Sequence, residues 1–257
     1  MIEEVKEWSQ SFYSPIKKLP QDFQDSVASL YLCLRAVDEI EDHEILKTNE
    51  KVELLTSVSE ILQNSNFKDI ESNLTLSFKK FNCLPSVTTN LIEYLKQAPS
   101  DLRNRISDTT SAMAIRMVPW VVNNWEIKTQ QDFDQYFYAV AGTPGLMLCE
   151  IFQHYENLRP NRTLGVQFGK FLQVVNIIRG REEDLKRGVD FYPDDWTENN
   201  IIEYGFNISN DVYKFIDSLE SESNSYAFCK EIADLALSVL IHKRKKKTIP
   251  FDGLNKP

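Results

Sequence analysis

Glycine and proline are scarce, 8 and 10 in 257 residues, and the long stretches between them repeat apolar residues every three to four positions. A substantial sheet is therefore excluded and an all-α chain is expected. Positive charge is in deficit, with 29 Lys and Arg against 38 Asp and Glu, a net charge of -9 and a pI near 5.0. Nucleic-acid binding needs clustered positive charge on the contact surface, so nucleic acid is not an expected partner. Cys33, Cys83, Cys149 and Cys229 form no C-x-x-C pair, and the start Met-Ile-Glu-Glu-Val-Lys-Glu lacks the basic-then-apolar order of a signal peptide. Reduced thiols in a cytoplasmic protein are the simplest expectation. No apolar run reaches the roughly 18 residues that a membrane span requires, and no repeat or linker divides the chain. A single domain over 1–257 is expected, with enough Phe, Leu, Ile and Val to fill a sizeable core.

What is present is a series of amphipathic helices. One should open at Gln21, after Leu19-Pro20, and run to about Glu44. Along it Tyr31, Arg35, Asp38 and Asp42 recur at spacings of four, three and four, so one side carries an aromatic, a cation and two carboxylates. Such a face is either solvated or part of a site; the apolar residues beside the carboxylates favour protein around it. Two or three ordinary helices, separated at Asn64-Ser65-Asn66 and Cys83-Leu84-Pro85, should occupy Lys47 to Gln97. Met113, Arg116, Met117 and Trp120 follow at helical spacing, as core or as the lining of an apolar pocket. Gly142, Pro144 and Gly145 interrupt the apolar stretch Tyr136 to Phe152, either as a close-packed elbow or where a ligand approaches the backbone. In the last third, helices are expected around 199–204, 209–219 and 226–241. The basic run Lys243 to Lys247 then reads as a solvated helix end, or as a weak contact with a membrane surface.

The densest chemical signal is Gln173 to Asp184, Gln-Val-Val-Asn-Ile-Ile-Arg-Gly-Arg-Glu-Glu-Asp. As a helix it puts Gln173, Asn176, Gly180 and Asp184 on one side. A glycine inside a helix costs about 1 kcal/mol relative to alanine, so Gly180 is not neutral filler. Two acidic faces, Asp38/Asp42 and Glu183-Asp184, would repel across a bundle unless cations lie between them. Hard oxygen ligands favour Mg²⁺, which bridges carboxylates to substrate phosphates. Ionisation of a diphosphate ester beside an apolar, aromatic cavity is the chemistry this suggests.

Leu34 to Asp42, Tyr136 to Gly142 and Gln173 to Asp184, together with Ser11-Phe12 and Leu19-Pro20, resemble in order and spacing the squalene and phytoene synthase family. The resemblance covers roughly Ser9 to Trp196. It implies an all-helical bundle of the isoprenoid synthase type around a prenyl cavity, and Mg²⁺-dependent head-to-head joining of two farnesyl-type diphosphates through a cyclopropyl intermediate. Carried over to this chain, it makes Asp38, Asp42 and Asp184 metal ligands, with Glu41 as an outer or secondary ligand. Arg35, helped by Ser11 and Phe12, would hold a diphosphate. Tyr136 would assist departure of the diphosphate or stabilise the cation, and Gln173, Asn176 and Arg179 would surround the second motif. Gly180 stands where that motif normally has an aspartate; Glu183, about 60° round the helix, could reach the gap. Gln10 replaces an arginine of some squalene synthases, and Pro144 interrupts the Val-Ala-Gly segment. The missing aspartate leaves three readings: condensation to a thirty-carbon product, a one-substrate reaction giving farnesol or a cyclic terpene, or prenyl binding without catalysis. No dinucleotide fingerprint occurs, so use of NADPH is not expected; chain length and oligomeric state are left open.

Overall fold

The computed structural model describes residues 1–63 and 66–248, with side chains described as far as 245; the break expected at Asn64-Ser65-Asn66 lies partly outside them. The elements are α1 (Ile2–Trp8), α2 (Gln10–Lys17), α3 (Gln21–Glu41), α4 (Thr48–Leu62), α5 (Phe67–Phe78), α6 (Ser86–Thr89), α7 (Leu91–Gln97), α8 (Ser100–Val122), α9 (Gln130–Phe137), α10 (Thr143–Glu156), α11 (Arg162–Lys186), α12 (Glu198–Asp217) and α13 (Asn224–Thr248). The described residues contain no strand, as the spacing of apolar residues predicts. Their buried apolar side chains form one contiguous core. No helix among them is long and apolar enough to cross a membrane.

Local chemistry fixes the helix ends. The Ser9 hydroxyl accepts from the Phe12 amide at 3.2 Å and starts α2, while Asn161 accepts from Leu164 at 3.2 Å and starts α11. Thr129 and Asp132 form a reciprocal capping box on α9. Past the end of α11, Gly188 takes φ +81°, a left-handed turn that favours glycine. The helix from Gln21 stops at Glu41, three residues short of the expected end, with Asp42 as its C-cap.

The Gly142-Pro144-Gly145 cluster interrupts nothing. Between α9 and α10, residues Tyr138–Gly142 form a π-helical turn, and the Thr143 amide donates to the Tyr138 carbonyl. Pro144 has no N–H to give, and the wider turn absorbs its ring without breaking the run. The glycines serve the packing of α10 on α11. A Cβ at Gly145 would lie 2.2 Å from the Gly165 carbonyl oxygen, and one at Gly169 would lie 2.0 Å from that of Ala141.

Two sequence expectations need correction. Lys47 to Gln97 holds four helices, because the four-residue α6 fits between Pro85 and Asn90. The helices expected at 199–204 and 209–219 are one, α12. Gly205, between the two expected spans, lies inside the helix, where a Cβ would meet Leu240 at 2.9 Å; glycine there permits close packing on α13. In the basic run, Lys243 approaches Glu198 at 3.6 Å and Arg244 lies over Phe206, both contacts within the chain. The side chains of Lys246 and Lys247 lie outside the described residues.

Candidate active site

A cavity of about 610 Å³ opens between α2, α3, α10, α11 and α13. Val27, Leu30 and Leu34 of α3, Phe168 and Leu172 of α11, and Phe228, Ile232 and Val239 of α13 supply apolar walls. Met113 also lines it, so the methionine stripe of α8 serves both core and pocket. Along α3 the apolar lining gives way to Arg35 and Asp38, and along α11 to Gln173, Asn176 and Arg179. Both changes run towards the C-terminal ends of their helices, so the cavity has an apolar body and one polar end. Ser11 and Phe12 of α2 complete the wall, with the Phe12 ring 5.3 Å from that of Tyr31. A larger hollow of about 1040 Å³ lies along α8 and α9, but it is an open groove holding none of the sequence-predicted site residues.

The polar end is rich in unused hydrogen-bonding capacity. Arg35 pairs with Asp38 and Glu39 one turn further along α3 and lies over the Trp8 ring at 5.3 Å, yet its Nε is buried without an acceptor. Among the described residues the side chains of Gln173, Asn176 and Arg179 have neither hydrogen-bond nor ion-pair partners. Burial and the neighbouring Asp42 push the Asp38 carboxyl up to about 7 against the pull of Arg35, so near neutrality it is shared between its acid and carboxylate forms.

The remaining predicted residues lie beside the cavity. Glu41 is fully buried behind the acidic face, where it accepts from Trp125 Nε1 at 2.5 Å and faces the Tyr136 hydroxyl at 3.4 Å. Burial, followed by Asp42 and Asp38, holds its carboxyl well above the usual range. Enclosed by Trp125 and Tyr136 and away from the cavity lining, Glu41 fits an outer position. Tyr136 is not on the cavity wall. Its ring stacks on Phe191 at 5.1 Å and meets Trp120 edge-on at 5.5 Å. Burial raises its phenol well above the ordinary value, and Glu41, Asp42, Asp38 and Asp184 all push the same way, which puts Tyr136 beneath the junction of the two acidic motifs. Glu183 is exposed. Among the described side chains, a Cβ at Gly180 would meet only Asp184 Oδ2, at 3.5 Å, so the gap is open and Glu183 does not close it.

One participant has no counterpart among the predicted residues. Arg187 donates through Nη1 to Asp42 Oδ1 at 2.7 Å and through Nη2 to Asp184 Oδ1 at 2.5 Å, joining the acidic ends of α3 and α11. Its signal was slight: a basic residue three positions after Asp184, indistinguishable in sequence from an ordinary helix end.

For Mg²⁺ the two motifs differ in fit. The ion binds one or two carboxylates together with substrate phosphates, and Asp38 at the cavity's polar end suits that role. Asp42 and Asp184 are already joined through a guanidinium, and no three acidic, histidine or cysteine side chains among the described residues gather as a metal cage.

A family model for squalene/phytoene synthase matches residues 5–204. The chain belongs to the squalene/phytoene synthase family. Squalene synthase of Nicotiana benthamiana is 32% identical over 183 residues, covering 69% of this chain and 42% of the relative. Squalene synthase 10 of Panax ginseng is 27% identical over 243 residues, covering 91% of this chain and 53% of the relative. The chain thus spans about half the length of the curated relatives it matches. Among solved structures, the complex of TcSQS with the ligand BPH1237 has a TM-score of 0.75 at 21% identity, covering 93% of this chain and 76% of the other. A dehydrosqualene synthase in complex with ligand has a TM-score of 0.61 at 17% identity, covering 99% of this chain and 88% of the other. These likenesses bear out the all-α fold expected from the squalene/phytoene synthase resemblance.

Proposed function

We propose that this squalene/phytoene synthase family member binds a farnesyl-type diphosphate and ionises it, with head-to-head condensation to a thirty-carbon product as the main reaction. The observation that carries the reading is the set of unpaired donors, Arg35 Nε, Gln173, Asn176 and Arg179, at the polar end of an otherwise apolar cavity. Charge-assisted hydrogen bonds from guanidinium to phosphate are among the strongest a protein makes. In the proposed pose Arg35 and Arg179 receive the diphosphate, Asn176 and Gln173 donate to its remaining oxygens, and the Ser11 hydroxyl assists. The prenyl chain lies along Phe12, Leu34, Phe168 and Leu172, where water is excluded. The bond from C1 to oxygen breaks, its electron pair leaves with the diphosphate, and the allylic cation remains in the apolar body. When bound, Mg²⁺ neutralises the departing diphosphate, and Asp38 is the side chain that would hold it. Tyr136, fixed by Glu41, orients the acidic ends of α3 and α11 from beneath.

A one-substrate reaction, releasing farnesol or a cyclic terpene, is the second reading. Gly180 and the Asp42–Arg187–Asp184 bridge favour it, because they leave fewer free carboxylates to manage a second diphosphate. The decisive experiment incubates the protein with farnesyl diphosphate and Mg²⁺, with and without NADPH, and identifies extracted products by mass spectrometry. A thirty-carbon product is expected in both mixtures. A fifteen-carbon alcohol or hydrocarbon alone would replace condensation with the second reading, and absence of any released diphosphate would leave a prenyl-binding protein.

A further inference from the structure

We infer that Arg187 is a built-in cation in place of a divalent metal between the two acidic motifs, so that α3 and α11 are joined before any metal or substrate arrives. Asp42 ends α3 and Asp184 lies in the last turns of α11, 142 positions later in the chain. Their carboxylates face the two ends of one guanidinium, whose fork geometry suits two acceptors at once. The same Nη1 reaches the Asp42 backbone carbonyl at 3.2 Å, so Arg187 also caps the C-terminus of α3, where positive charge is favoured. The group is partly shielded, with 25% of the Arg187, 14% of the Asp184 and 34% of the Asp42 side chain exposed. Removing the cation would therefore leave two partly buried acids facing each other without a counter-charge between them.

Gly180 belongs to the same arrangement. Among the described residues, and apart from its own helix backbone, a Cβ there would come within 4 Å of Asp184 Oδ2 alone, so α11 offers one carboxylate to this junction and no second one across the gap. One carboxylate from each helix with an arginine between them is an ion-pair triad, two carboxylates sharing one cation, not a vacant cage. Asp38 stays outside it, paired with Arg35 on the cavity wall. It follows that a divalent ion enters with the diphosphate at Asp38, and that the protein alone does not assemble a metal cluster across α3 and α11. The inference rests on the placement of the acidic motifs and holds whether the reaction is condensation or hydrolysis.

The test uses no prenyl substrate, so its failure is separate from failure of the proposed activity. Free Mn²⁺ is followed by electron paramagnetic resonance as it is titrated into the full chain without diphosphate, and thermal unfolding is recorded with and without Mg²⁺. Wild type is expected to leave Mn²⁺ free at equimolar concentration and to melt at the same temperature with or without Mg²⁺. Arg187→Gln is expected to melt roughly 2–8 °C lower, to bind about one Mn²⁺ at least tenfold more tightly than wild type, and to regain most of its lost melting temperature in Mg²⁺. Arg187→Lys, with its charge but not its fork, should fall between the two. Tight Mn²⁺ binding by wild type with a rise in melting temperature would overturn the inference, and that arm stands even if Arg187→Gln does not fold. A folded Arg187→Gln protein that binds Mn²⁺ no better than wild type would also overturn it.

Discussion

Two glycines of α11 lie eleven positions apart and have opposite meanings. Gly169 touches the backbone of Ala141, so Gly169→Ala must push the Tyr138–Gly142 turn away, an overpacking cost of about 1–3 kcal/mol or more. Gly180 faces open space, so Gly180→Ala should stabilise the protein by about 0.5–1 kcal/mol through helix propensity. Urea unfolding of the two variants should therefore shift in opposite directions, and a destabilised Gly180→Ala would mean that the gap is more crowded than its contacts imply. The contrast was invisible in sequence, where both are glycines inside a helix and only the facing helix separates them. The polar residues were more legible. Arg35, Asp38, Gln173, Asn176 and Arg179 follow a helical repeat, and a repeat of that kind fixes a shared face wherever the helix packs. Arg187 escaped because half of its meaning lies in Asp42, 145 residues away.

Helical period also gave the long elements, and its failures occurred where a neighbour overrides local propensity. The helix runs on through Gly205, which α13 covers, and Pro144 reads as a break until the π turn accommodates it. The start of α13 illustrates another long-range dependence. Glu156, the last residue of α10, accepts from the Asn224 amide at 2.7 Å and the Ser225 amide at 3.0 Å, and from the Ser225 hydroxyl. Burial alone would raise its carboxyl, but the bonds from Ser225 and Asn224 outweigh burial and hold it below its ordinary 4.5. A depressed carboxyl contributes stability that is fully present above its unfolded value and is lost as pH falls through the folded one. Glu156→Gln should accordingly cost about 1 kcal/mol at pH 7. The difference from wild type should shrink as pH falls below 4.5. Urea unfolding at pH 7 and pH 3 reads this directly, and an equal difference at both would show that the charge does not matter to the cap.

For the whole molecule, the cavity makes stability and ligand binding one quantity. A ligand that fills it binds the folded chain alone, and at one hundred times its dissociation constant it should add about 2.7 kcal/mol to unfolding. Farnesyl diphosphate should raise the melting temperature and slow proteolysis within α13, which supplies one cavity wall, while farnesol at equal concentration should do less because it leaves Arg35 Nε and Arg179 without acceptors. Equal effects from the two ligands would remove the polar end from the account of recognition.

The cavity walls come from α2 and α3 near one end of the described chain, from α10 and α11 in its middle, and from α13 near the other. On the ribosome, α13 emerges after the other described elements, so the apolar faces of Val27, Leu30, Phe168 and Leu172 have no roof until it appears. The same surface that later shelters a prenyl chain is, during those seconds, a natural landing place for a chaperone.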